Sequence, residues 1–404
     1  MSTFLLLPVN EQGTFQDRVI ASVLEDTTAR PAQFSHLFLF SHGWWTNANA
    51  AMIDYDRFIA GFTRCMLADP FAKPLADPVI GNYFATGVHW PSVLTEDDVS
   101  VLNYAQALSF FSMRSRADAV GENAGYATLN VATRSGAVTR LNLIGHSFGC
   151  RVICSTVQKL LTNDPTCLDN LDVRIVLLEP AFDQEDLEWG GVAGPPQRYG
   201  LVLQNPRVRM LITRSGLDVA LSVGYPLANV IGDVVNHADG AAVEAVVRAL
   251  LSRLSGPLEA VGAAAGTVVG DLVAAWNRLH HSEVNAGALG APVEAILGRR
   301  EPKALTAARL VLAGLEAAHV DVALAAGGAG LRAPFITRLG GRYLSLPIGP
   351  GWAGAAVAAG PQSVVVADLS ALHNRPDGAN PPWNDHHSDI YLPEIYRLLA
   401  WFLF

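Results

Sequence analysis

The stretch Leu141-Asn142-Leu143-Ile144-Gly145-His146-Ser147-Phe148-Gly149-Cys150-Arg151-Val152 decides the fold. Its apolar run, Leu141 to Ile144, reads as a buried strand. Gly-x-Ser-x-Gly follows at once, and then an apolar helix from Cys150 to Leu161. Strand, sharp turn and helix form the unit from which parallel sheets are built. The two glycines remove side chains that would collide at the turn, and they let Ser147 hold a strained conformation with its hydroxyl exposed. The first N–H groups of the helix point at the same spot, where a developing negative charge would be stabilised. In this setting Ser147 is a candidate nucleophile; a plain tight turn would leave the rest of the pattern without a role.

Outward from this stretch the same alternation recurs. Phe4 to Val9, His36 to Ser41, Tyr83 to Val88, Val173 to Leu178 and Val208 to Thr213 read as buried strands, with helical spacing in Met52 to Leu67 and Tyr104 to Arg116. The fold class is therefore α/β, a mainly parallel sheet flanked by helices. From Ser222 to Gly360 the chain becomes rich in Ala, Gly, Val and Leu, with helical patterns in Ala241 to Leu254, Pro257 to Leu279 and Leu305 to Ala318. A strand-like run, Ser363 to Ala367, and a helix from Pro393 to Leu403 close the chain. The expected organisation is a core over residues 1–221, a helical insertion or cap over 222–360, and the end of the core, with the last strand and helix, over 361–404.

Composition excludes several classes of function. The 404 residues are 50% hydrophobic and 16% charged, which excludes disorder and coiled coil. The balance of 28 Lys and Arg against 37 Asp and Glu, net −9, offers no basic field to attract nucleic acid. The four cysteines, Cys65, Cys150, Cys154 and Cys167, lack metal spacing and read as free thiols, so no metal is expected. The N-terminus lacks a signal-peptide core, because the apolar run Phe4 to Leu7 stops at Pro8; a cytoplasmic location is the expectation. The uncharged stretch Tyr343 to Ala367 is long enough to span a bilayer. Pro347, Pro350 and Pro361 and four glycines break it into buried loop plus strand, so no transmembrane segment is expected.

A serine nucleophile needs a base, an orienting carboxylate and donors for the oxyanion. The strand His36 to Ser41 runs on into His42-Gly43-Trp44-Trp45-Thr46-Asn47, and Gly43 permits close approach of the chain. The backbone N–H groups of Trp44 and Phe148 are assigned as the two donors, each worth roughly 3 kcal/mol of barrier. His42 is placed at the substrate side of the loop, more as its anchor than as a proton carrier, and Trp45 is a candidate pocket wall. The acid and base should follow Ser147 in that order. Glu179, Asp183, Asp218 and Asp368 are the candidate acids. Asp218, in a loop at the carboxyl end of a strand, is preferred, with Glu179 second. His373, His386 and His387 follow the last strand. His387 is preferred as base, and sequence alone does not separate it from the adjacent His386. His280 and His281 fall in the helical block, and His89 is read as structural.

These residues resemble the α/β-hydrolase superfamily over approximately Phe4 to Leu217 and Ser363 to Phe404, the insertion falling outside the resemblance. The nearest likeness is to bacterial serine hydrolases that share His42-Gly43-Trp44, Trp90-Pro91-Ser92 and an Asp loop continuing into Ala-Leu, here Asp218-Val219-Ala220-Leu221. The resemblance implies an α/β-hydrolase fold, a Ser147–Asp218–His387 triad and esterase or lipase-like chemistry with no cofactor. The apolar insertion suggests a small-molecule or lipid-like ester with a hydrophobic acyl chain, with membrane-surface contact as one setting. Amidase, thioesterase or acyltransferase chemistry on the same triad, and a non-catalytic binding protein, are the alternatives.

Overall fold

The computed structural model describes residues 4–17, 19, 22–24, 34–43, 46, 48–92, 110–181, 184–187, 198–215, 343–352, 364–372, 387 and 389–404. Eight strands form one sheet: β1 (Phe4–Pro8), β2 (His36–Ser41), β3 (Tyr83–His89), β4 (Arg140–His146), β5 (Asp172–Leu178), β6 (Val208–Arg214), β7 (Tyr343–Pro347) and β8 (Val364–Asp368). Their order is β1-β3-β2-β4-β5-β6-β8-β7, and every neighbouring pair is parallel. The helices are α1 (Ala48–Ala68), α2 (Ala72–Ala76), α3 (Phe110–Val120), α4 (Tyr126–Arg134), α5 (Gly149–Asn163), α6 (Gly200–Gln204) and α7 (Pro393–Leu403). A π-helical turn, Gly121–Gly125, joins α3 to α4.

Because strand side chains alternate, the sheet has two apolar faces. Leu37, Leu39, Leu141, Leu143, Val173 and Ile175 pack on one side with residues of α3, α4 and α5. Phe38, Phe40, Ile144, Val176, Leu178 and Val365 pack on the other with α1 and α7. The helix α5 carries the deepest ion pairs. Arg151, fully buried, meets Asp118 at 2.9 Å and Asp186 at 3.1 Å. Asp118 also accepts hydrogen bonds from Ser155, at 2.8 Å, and Tyr199, at 2.5 Å, and pairs with Arg198. A buried charge costs several kcal/mol unless it is paired in this way, so the cluster holds α5 in one position.

The C-terminal helix α7 is fixed at both ends. Pro393 opens it, where a missing N–H costs nothing. Arg140 donates to the Leu403 carbonyl at 3.0 Å and Arg174 donates to that of Phe402, so two cations sit at the negative end of the helix. Along its flank Arg397 bonds Asp69 at 2.7 Å. The chain entering α7 is thereby held over the carboxyl ends of the central strands.

All seven strands read from the sequence are present. One more, β7, falls inside the span assigned to the helical insertion, and the stretch expected as buried loop begins with it. The sheet therefore resumes at Tyr343. Five residues ending in Pro347 suffice for an outer strand, where proline is tolerated because one side of the strand needs no donors. The helical patterns between Ala241 and Ala318 lie outside the described residues. Among the described residues no helix is long and apolar enough to cross a membrane, and no group of three or more His, Cys, Asp or Glu is arranged to hold a metal ion. The four cysteines are free thiols.

Candidate active site

The connection leaving β2 runs toward β3, and the one leaving β4 runs toward β5, so these adjacent strands send their chains in opposite directions. A crevice opens at the carboxyl end of a parallel sheet at such a point. Both sequence motifs lie there, His42-Gly43 after β2 and Gly145-His146-Ser147-Phe148-Gly149 at the end of β4.

Ser147 has φ 54°, in the left-handed region. For a residue other than glycine this conformation costs about 1–3 kcal/mol and persists only where the surroundings enforce it. Here the Ser147 N–H donates to the Leu178 carbonyl at 2.9 Å, and the Ser147 carbonyl accepts from Cys150, at 3.0 Å, and Ala181, at 3.2 Å. The flanking glycines answer to space. A Cβ on Gly149 would lie 2.1 Å from the Ser41 carbonyl oxygen, and one on Gly145 would lie 2.6 Å from the backbone nitrogen of Cys150. Phe148 occupies the N-cap of α5, directly after the serine.

Ser147 is buried, at 6% exposure, where the sequence suggested an open hydroxyl. What meets it is His387, whose Nε2 lies 2.8 Å from the Ser147 Oγ. The two are 240 residues apart. His387 is itself buried, and its backbone carbonyl accepts from Nε2 of His146 at 2.8 Å. A hydroxyl within hydrogen-bond distance of an imidazole is the arrangement from which a serine loses its proton to a base. His386 and His373 lie outside the described residues.

The His-Gly loop is anchored through His42. Its Nδ1 donates to the Gly43 carbonyl at 2.8 Å, and its Nε2 accepts from the Trp90 N–H at 3.3 Å. The Trp90 indole donates to the His42 carbonyl at 3.1 Å and stacks on the imidazole with an interplanar angle of 9°. Burial, together with neighbouring His89, pushes the His42 ring down to about 3, well below the ordinary histidine value. Both ring nitrogens are engaged by backbone groups, which fits the anchoring role. Ser92 fastens the far end: its Oγ donates to the Thr46 carbonyl at 2.8 Å and accepts from the Thr46 N–H at 3.0 Å. Trp90-Pro91-Ser92 thus clamps the loop at residues 42 and 46, a function that its sequence, readable as a strand-ending turn, did not disclose. Gly43 then lies directly against the serine, since a Cβ there would stand 2.8 Å from the Ser147 Cβ. Trp44 and Trp45 lie outside the described residues.

Among the candidate acids, Asp218 and Asp183 lie outside the described residues. Asp368 ends β8, where bonds from Ser370 and Arg214 outweigh its burial and hold its carboxyl below the usual range. Glu179 is fully buried and has φ 44°; it and Ser147 are the only residues other than glycine with positive φ among those described. The β4–β5 register pairs His146 with Leu178, so Glu179 follows β5 as Ser147 follows β4. Its carboxylate accepts the Ser215 N–H at 3.1 Å and the Thr213 hydroxyl at 3.4 Å. The structure therefore brings together Ser147, His387 and the His42-Gly43 loop, and sets Glu179 one strand away. Comparisons with protein-family models, with curated proteins and with solved structures return no match to this chain.

Proposed function

We propose that the chain is a serine hydrolase of the α/β-hydrolase type that cleaves carboxylic esters. The observation that carries this reading is the 2.8 Å approach of His387 Nε2 to the Oγ of a strained Ser147 at the crevice of a parallel sheet. In the mechanism, His387 takes the serine proton as Oγ attacks the acyl carbon, then returns it to the leaving alcohol. Water repeats the cycle on the acyl-enzyme. The N–H groups of Trp44 and Phe148 are assigned to the oxyanion. Gly43, the residue before Trp44, is packed on Ser147, which supports the first assignment. Asp218, which follows β6 in the sequence, is the proposed orienting carboxylate. The apolar composition of residues 222–360 favours esters of hydrophobic acyl chains over small polar ones.

A second assignment within the same mechanism has its own support. Glu179, a buried carboxylate with φ 44° that follows β5 as Ser147 follows β4, supports its assignment as the acid in place of Asp218. Hydrolysis of p-nitrophenyl esters from acetate to palmitate, with fluorophosphonate labelling, tests the whole reading. Ser147→Ala should abolish the label and lower turnover by roughly 10⁴-fold or more. Of Asp218→Asn and Glu179→Gln, the variant with the loss of about 10⁴-fold identifies the acid. Labelling at Ser147 without ester turnover would refute the esterase reading and move the weight to amide substrates, and absence of both would refute the hydrolase reading in favour of a binding protein.

A further inference from the structure

We infer that His146 is a positioning residue for the base, holding His387 by its main chain while Ser147 engages its ring. This rests on the reading of Ser147 and His387 given above. Residue 146 shares its strand parity with Asn142 and Ile144, and Ile144 packs on the face covered by α1 and α7. The chain that enters α7 passes on that side, and the His146 imidazole meets it. Nε2 of His146 lies 2.8 Å from the His387 carbonyl oxygen, and the two rings stand 5.1 Å apart.

Consecutive residues at the end of one strand therefore grip two different parts of the base. Ser147 meets the ring at 2.8 Å and His146 meets the backbone at 2.8 Å, so neither the loop nor the side-chain torsions of His387 can drift without breaking a bond. Nε2 of His146 must carry a proton to donate to a carbonyl, and it does so both in the neutral Nε2–H tautomer and in the cation. The latch thus holds whether the site is charged or neutral, while His387 gains and loses its proton in each turnover. On its other side the His146 ring is backed by the His-Gly loop, where a Cβ on Gly43 would lie 3.3 Å from Nδ1. A base misplaced by about 1 Å costs on the order of 10²-fold in rate, which sets the scale of the effect.

Two amide variants separate reach from polarity. Gln at position 146 carries its amide nitrogen close to where the imidazole Nε2 stands, whereas Asn ends near Nδ1 and falls short of the carbonyl. Steady-state hydrolysis of p-nitrophenyl butyrate, fluorophosphonate labelling rates and melting temperatures are compared for wild type, His146→Gln, His146→Asn and Ser147→Ala. His146→Asn should lose roughly 10- to 100-fold in kcat and in labelling rate, with KM and melting temperature close to wild type. His146→Gln should recover most of that loss. Equal rates for the two variants, or a loss confined to KM or to melting temperature, would overturn the inference while leaving the hydrolase reading intact. A wild-type protein that takes no label at Ser147 would remove the hydrolase reading, and the inference with it.

Discussion

Lowering the pH should weaken the fold through His42 before the carboxylates contribute. The ring is pushed down to about 3 in the folded protein, whereas an unfolded histidine titrates near 6.5. Between these values the unfolded chain binds a proton that the folded chain refuses, so the contribution is fully present above pH 6.5 and is lost as the pH falls toward 3. At 1.36 kcal/mol per pH unit, moving from pH 7.5 to pH 5 removes about 2 kcal/mol through this residue. The structural cause is specific. Nε2 accepts the Trp90 N–H, and a proton there would set donor against donor at the point that holds the His-Gly loop. His36 is also lowered, to about 4, first by burial and then by Arg140 and Arg174, and adds a smaller share because part of its ring sees solvent. Urea unfolding of wild type and His42→Gln at pH 7.5, 6 and 5 isolates the effect. The variant starts less stable but should lose about 2 kcal/mol less across that range. Parallel losses in the two proteins would refute the argument that His42 stays neutral to hold the loop.

Two further perturbations follow from buried polar groups and from space. Asn142 is fully buried at the centre of β4, and neither amide atom has a hydrogen-bond partner among the described residues. Asn142→Leu, close in volume, should therefore raise the urea midpoint at unchanged m, by about 1–3 kcal/mol in stability. Gly149→Ala should do the reverse, because its methyl would stand 2.1 Å from the Ser41 carbonyl oxygen and 2.5 Å from that of His42. The expected readouts are a lowered melting temperature and, since the displaced segment carries Gly43, a loss of any Ser147-dependent labelling.

What the sequence discloses follows the range of the forces involved. Strand and helix identities are set by residues close along the chain, so β2 and α7 keep the limits read from apolar runs and from Pro393. β7 escaped because an outer strand needs only five residues, and prolines and glycines around it mask the apolar alternation. The helical run after α3 escaped for a related reason. Gly121 and Gly125 lower helix propensity locally, yet both sit where the backbone approaches α5 most closely, with a Cβ on Gly121 falling 2.4 Å from the Val152 carbonyl oxygen. Tertiary contact supplies there what local propensity lacks.

The candidate site divides along the same line. Ser147 announces itself because the turn that strains it needs glycines two residues to either side, a pattern written in five consecutive letters. His387 is reachable as a candidate base from chain order, in which it follows the last strand, but order does not choose between adjacent histidines; its contact with Ser147 appears only in the fold. Trp90, Ser92 and His146 carry no such local requirement. Their partners are His42, Thr46 and the His387 carbonyl, 46 to 241 residues away, and each role exists only once β2, β3 and β4 lie side by side. The parallel register then makes the grouping unavoidable. His36 to Ser41 runs level with both Tyr83 to Val88 and Arg140 to Gly145, so the three chains leave the sheet at the same height, and whatever follows each strand must meet the others at the crevice. A loop after β2 that approaches Ser147 through Gly43 needs a support on its far side, and the only strand flanking β2 opposite β4 is β3. That is where Trp90 and Ser92 stand.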